Sequence, residues 1–186
     1  MITLNSITHT YPGENEAALR DVSLTLGDST ITALFGPNGS GKTTLMQILS
    51  GLLPASSGSV SINGTGMRPN DLLAYSVMVS SDRDFDNSSA GALVAYASLR
   101  PTWDQKLFDR YARRFGFQMK RRKKVRKMSS GQAAILAGAV ALASGAPITV
   151  LDEIQAPLDV PTRYAFYEEL LTLAADAMEG RRPRRT

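Results

Sequence analysis

The chain has 186 residues, enough for one domain with a sizeable core. Its 43% hydrophobic and 20% charged residues are ordinary for a globular protein, and the absence of cysteine excludes disulfides and thiolate metal sites. The net charge of +4 hides a split: residues 120–127 hold seven basic side chains and residues 181–185 four, leaving 10 basic against 17 acidic elsewhere, so a generally nucleic-acid-binding surface is not implied.

Residues 2–11 and 18–26 read as two strands about the turn Pro12-Gly13-Glu14-Asn15. The start, Met1-Ile2-Thr3-Leu4-Asn5, lacks a basic region followed by an apolar core, so no secretory signal is expected and a reducing, cytoplasmic setting is the default. His9, the single histidine, falls in an alternating strand and is expected to be solvated rather than catalytic. Tyr11 closes that strand; spacing alone makes it a half-buried strand tyrosine, although an aromatic face there could stack on a purine.

Residues 29–35 alternate and favour β structure, so a third strand is expected. It leads into Gly36-Pro37-Asn38-Gly39-Ser40-Gly41-Lys42-Thr43-Thr44, which fits the phosphate-loop pattern G-x-x-x-x-G-K-[ST]. Residues 42–50 read as the helix that follows. A strand, a glycine turn and a helix start gather backbone N–H groups and the positive end of a helix dipole around one anion. Lys42 would reach the β and γ phosphates, and the Thr43 hydroxyl would ligate Mg²⁺.

Short strands are expected at 59–63 and 75–79, followed by a polar segment, residues 80–87. Residues 89–99 and 103–115 read as helices, with Pro101 and Thr102 separating them and starting the second. Ser129 is a candidate N-cap for an Ala-rich helix. Residues 133–151 carry no charge, but Ser144-Gly145-Ala146-Pro147 breaks them into a buried helix, a turn and a buried strand rather than a membrane span. That strand, 148–151, ends in Asp152-Glu153, and a last helix is expected over 161–178.

Strands alternating with helices predict an α/β fold with a mainly parallel core sheet, an antiparallel N-terminal part and an inserted helical lobe over about 86–145. Ligands of such folds bind at the carboxyl ends of the parallel strands. Asp152 there would hold Mg²⁺ and Glu153 would polarise the water that attacks the γ-phosphate. The plainer alternative is two acids that end a strand.

These motifs stand in the order found in the ATP-binding subunits of ABC transporters, which nearly the whole chain resembles. Gly36 to Thr44 matches the family's phosphate loop. Met128-Ser129-Ser130-Gly131-Gln132 resembles its LSGGQ signature, and the strand ending in Asp152-Glu153 its Walker B strand with the catalytic Glu. Leu158-Asp159 matches the end of its D-loop, and Tyr11 falls where the family places an adenine-stacking aromatic. The segment from Pro101 to Gln132 is also similar to small bacterial ABC ATPases encoded beside GntR-type regulators. The resemblance implies ATP and Mg²⁺ as cofactors and a second cassette, identical or not, whose ATP meets Ser129, Ser130, Gly131 and Gln132. It also implies transmembrane permease subunits as partners, no nucleic acid, and a cytoplasmic, peripheral place on the inner face of the membrane.

Departures from the family pattern are specific. Where the family has a Mg²⁺-ligating glutamine, this chain offers Ser81 or Asp82; Ile154-Gln155 replaces Pro-Thr, and Pro157 is unusual. The family's switch-histidine strand has no counterpart, which implies a truncated C-terminal part and poor hydrolysis. Two alternatives follow: a degenerate, regulatory ATP-binding cassette, and a soluble ABC protein acting on nucleic acid or ribosomes, supported only by the run at 120–127. GTPase and kinase readings leave the signature unexplained and lack an N-K-x-D motif.

Overall fold

The computed structural model describes residues 1–80 and 88–179, which fall in two compact units, 1–76 with 171–179, and 77–80 with 88–170. In the first unit, β1 (Ile2–His9) pairs antiparallel with both β2 (Leu19–Leu26) and β3 (Ser57–Ile62), and β4 (Thr65–Met67) extends the sheet in the order β2-β1-β3-β4. Ile2 and Leu4 face the core at period two. The β1–β2 register then slips between Leu4 and Ile7, where Ser6 has φ 49°, and the burial phase changes so that Ile7 and His9 also point inward. His9 is therefore not solvated as alternation suggests but 5% exposed, because the bulge re-aims the end of the strand.

The strand expected at 29–35 is not formed. Alternation favours an extended backbone, but a strand exists only beside a neighbour that takes its N–H groups. Among the described residues no ladder reaches this segment, and Phe35 is 88% exposed. The helix after the phosphate loop does form, as α1 (Lys42–Leu49), with Thr44, Leu45 and Ile48 buried. A short helix unforeseen in the sequence, α2 (Pro69–Tyr75), follows β4 with Pro in its first turn and Leu72 buried.

The second unit contains most of β5 (Ser76–Ser80), which pairs with β6 (Ile148–Asp152) as the parallel part of the α/β fold. Between these strands lie α3 (Ala90–Ala97), α4 (Gln105–Arg114) and α5 (Ser130–Ala143). Ser89 caps α3 by accepting from Ala92 N–H. Asp104, rather than the expected Pro101-Thr102, starts α4 by accepting from Leu107 N–H, while the Thr102 hydroxyl donates to Ser144 O at 2.7 Å. Leu107, Phe108 and Tyr111, spaced for one helical face, are buried and contribute roughly 1.5–3 kcal/mol each. α5 is buried on nearly all sides because its side chains are small; the Phe166 ring of α6 (Val160–Met178) lies where a Cβ on Gly138 would stand, 2.9 Å away. Arg110 and Arg114 reach from α4 to Glu169 at 2.8 and 3.1 Å, and Arg114 also meets Glu168. Burial opposes the Arg110 charge, yet the Glu169 carboxylate prevails and raises its pKa. No helix among the described residues is long and apolar enough to cross a membrane.

Candidate functional site

The first unit holds the phosphate loop. Gly39 and Gly41 have φ 81° and 85°, the left-handed region, which turns the chain sharply before α1. At Gly41 the need is double, because a Cβ would stand 2.5 Å from Ala18 O of the segment entering β2. Gly41 is also the N-cap of α1, and no side chain caps that helix start, so its positive dipole end is left to an anion. Residues 36–40 are exposed, as a ligand-accepting loop must be. Lys42 Nζ folds back over the loop and donates to Gly36 O and Pro37 O, both at 2.9 Å.

Tyr11 lies beside this loop. Its hydroxyl and the Thr44 Oγ1 are 3.0 Å apart, and its ring meets the His9 ring edge-on at 4.8 Å between centroids. At 37% exposure the ring keeps accessible surface. The structure thus brings together Tyr11 and Thr44, a pairing for which the sequence carries no signal because 33 residues separate them.

The second unit holds the other predicted site residues. Ser129 is the N-cap of α5, as expected, with its Oγ accepting from Gln132 N–H at 3.2 Å. The accepting hydroxyl still has its own proton to donate. Ser130 and Gly131 form the first turn of α5, and Gly131 lies against Pro157 O, 3.3 Å from where its Cβ would be. Lys123, hidden in the basic run when only sequence is read, donates to the Gln132 Oε1 at 3.3 Å.

Asp152 and Glu153 diverge although adjacent. Asp152, the last residue of β6, is 6% exposed, whereas Glu153 is exposed and takes φ 53°. A left-handed glutamate costs about 1–2 kcal/mol, and such strain recurs at functional sites. Asp159 caps α6, its carboxylate accepting from Thr162 N–H at 2.8 Å. Those hydrogen bonds from Thr162 hold its pKa below the usual carboxylate value. Arg163, which the sequence reading passed over, donates to Leu158 O at 3.0 Å and holds the loop before Asp159. Thr43 belongs to the first unit and Asp152 to the second; Ser81 and Asp82 lie outside the described residues.

Residues 19–156 match the family model described as ABC transporter. The human ATP-binding cassette sub-family A member 13 is 32% identical over 180 residues, 91% of this chain and 4% of that protein. The ATP-dependent lipid A-core flippase of Dechloromonas aromatica (strain RCB) is 33% identical over 172 residues, 86% of this chain and 29% of that protein. The chain thus spans less than a third of the length of these curated relatives. Among solved structures, an ATP-binding subunit of an ABC transporter superposes with a TM-score of 0.79 over 95% of this chain and 75% of its own, at 19% identity, a likeness of fold. The family model covers more than half of the chain: the chain belongs to the ABC transporter family and carries its ATP-binding domain.

Proposed function

We propose that this chain binds Mg-ATP between its own phosphate loop and the signature helix of a second cassette and hydrolyses it. The closing and opening of that pair would drive transmembrane permease subunits from the inner face of the membrane. The observation that carries the reading is the loop of residues 36–44: two left-handed glycines, a helix start without a side-chain cap and a lysine folded over the loop make a cradle for phosphate.

Lys42 exchanges two neutral carbonyl acceptors for charged phosphate oxygens, a stronger kind of hydrogen bond. Tyr11, fixed by Thr44, offers its ring to the base. Magnesium bound with the nucleotide would supply charge neutralisation for its phosphates. The Thr43 hydroxyl and an Asp152 oxygen are hard donors of the kind that ion takes. Glu153, exposed at the strand end, accepts a proton from the attacking water. From the partner cassette, Ser129 Oγ–H and the first amides of α5 face the γ-phosphate; Ser129 has its hydroxyl proton available because the Gln132 amide occupies only an acceptor site.

The test is Mg-ATP binding and steady-state hydrolysis by the chain, beside Lys42→Ala and Glu153→Gln. The proposal expects binding weakened ~10- to 150-fold in Lys42→Ala, and turnover abolished, with binding kept, in Glu153→Gln. An unmutated chain that binds no ATP refutes it. Binding without turnover leaves a nucleotide-binding cassette and refutes the hydrolytic part.

A further inference from the structure

Between Asp109 and Asp152 the chain has no acidic residue and ten basic ones. Two of the ten, Arg110 and Arg114, are neutralised by Glu168 and Glu169. The run at 120–127 is different. Its backbone is pinned to the start of α3: Ala90 N–H donates to Lys123 O, Gly91 N–H to Arg121 O at 2.9 Å, and Val125 N–H to Ser88 O. Ser89 and Lys124 add an antiparallel bridge, and Val125 is buried at the head of a single 3₁₀ turn, Val125–Lys127. The fold therefore spends its backbone contacts on holding this segment still. Lys120, Arg121, Arg122, Arg126 and Lys127 remain exposed, and among the described residues none of these five side chains is held by an ion pair.

We propose that this pinned basic segment is a contact surface for a bilayer of anionic phospholipid, separate from any contact with a permease. Five exposed cations without an ion-pair partner among the described residues suit the diffuse negative field of a headgroup layer, where neither a pocket nor a fixed geometry is needed. Single-stranded nucleic acid fits less well, because binding there draws on exposed aromatic platforms. The aromatic residues bordering the run, Phe115 and Phe117, are both partly buried, and Phe115 packs between Tyr111 and Phe166. Double-stranded nucleic acid is commonly read by a helix or strand entering a groove, whereas these cations sit on a loop and one 3₁₀ turn. The choice of a bilayer rests on the proposed role beside membrane permeases; the surface itself does not depend on nucleotide.

The test is co-sedimentation of the purified full chain, without nucleotide, with vesicles of phosphatidylcholine alone or mixed with phosphatidylglycerol. ATP binding is measured in parallel, so that failure of the nucleotide reading is seen separately. Binding is expected only to the anionic vesicles, and is expected to be lost near ~1 M salt, where the Debye length falls to about 3 Å. Each cation removed weakens partitioning about fivefold, so the triple variant Arg121→Gln, Arg122→Gln, Arg126→Gln loses about a hundredfold. The matching triple Arg→Lys variant keeps it, because the field reads charge and not guanidinium shape. Unchanged sedimentation of the Gln variant, equal binding to neutral vesicles, or no binding at all overturns the proposal. So does preferential capture of the chain by single-stranded RNA competing with the anionic vesicles at the same salt.

Discussion

Removing the Lys42 ammonium separates a residue that serves the ligand from one that serves the loop. Its Nζ makes two bonds of 2.9 Å, to Gly36 O and Pro37 O, in an exposed loop. In Lys42→Ala both carbonyls turn to water, so each lost bond costs near the low end of the usual range, about 0.5 kcal/mol. The total of about 1 kcal/mol lowers Tm by roughly 2–4 °C in a chain of this size. Against ATP the same amine faces phosphate oxygens, and a hydrogen bond between charged groups contributes about 1.5–3 kcal/mol, or ~10- to 150-fold in Kd. A calorimetric titration with Mg-ATP beside a thermal melt reads both quantities. A fall in Tm of ~10 °C or more with ATP affinity unchanged would make Lys42 a staple of the loop and refute the reasoning.

Tyr11→Phe removes the hydroxyl contact with Thr44 but keeps the ring, so ATP affinity is expected to change less than about tenfold. Tyr11→Ala removes the stacking face and is expected to cost ~1–3 kcal/mol of nucleotide binding; equal effects of the two substitutions would remove the stacking role. Glu153→Gly relieves the φ of 53° and is expected to stabilise the fold by up to ~1 kcal/mol while abolishing turnover, so a destabilised variant with normal hydrolysis contradicts both halves. Glu169→Ala leaves Arg110 without a carboxylate partner among the described residues and Arg114 with Glu168 alone, beside buried α6 surface; because both arginines are 39% exposed, the expected loss is ~2–3 kcal/mol, below the range for fully buried pairs, and chemical denaturation measures it. The depressed pKa of Asp159 means that its cap on α6 stabilises the fold above the ordinary carboxylate value of 3.8 and ceases to do so as pH falls through the lower folded value. Asp159→Ala should therefore lower Tm at neutral pH and bring no further loss in that acid range, and parallel melts of the two proteins against pH would show whether their difference closes there.

Sequence by itself determined the features that are local in the chain. The loop of residues 36–44, the Ser129 cap with its acceptor role three residues on, and the apolar strand ending in Asp152-Glu153 each depend on residues within one turn or one strand of each other. Backbone propensity and hydrogen-bond reach act at that range, so the residues suffice to read them. What only the tertiary structure decided depends on neighbours distant along the chain. Residues 29–35 have the composition of a strand, but among the described residues no ladder reaches them, because strand formation is a property of the pair. His9 alternates like a solvated residue, yet the bulge at Ser6 carries it into the core. Tyr11 finds Thr44, Lys123 finds Gln132, and Arg110 finds Glu169 across 33, 9 and 59 residues. Side-chain pairs at such separations are set by packing, and no periodicity in the sequence encodes them.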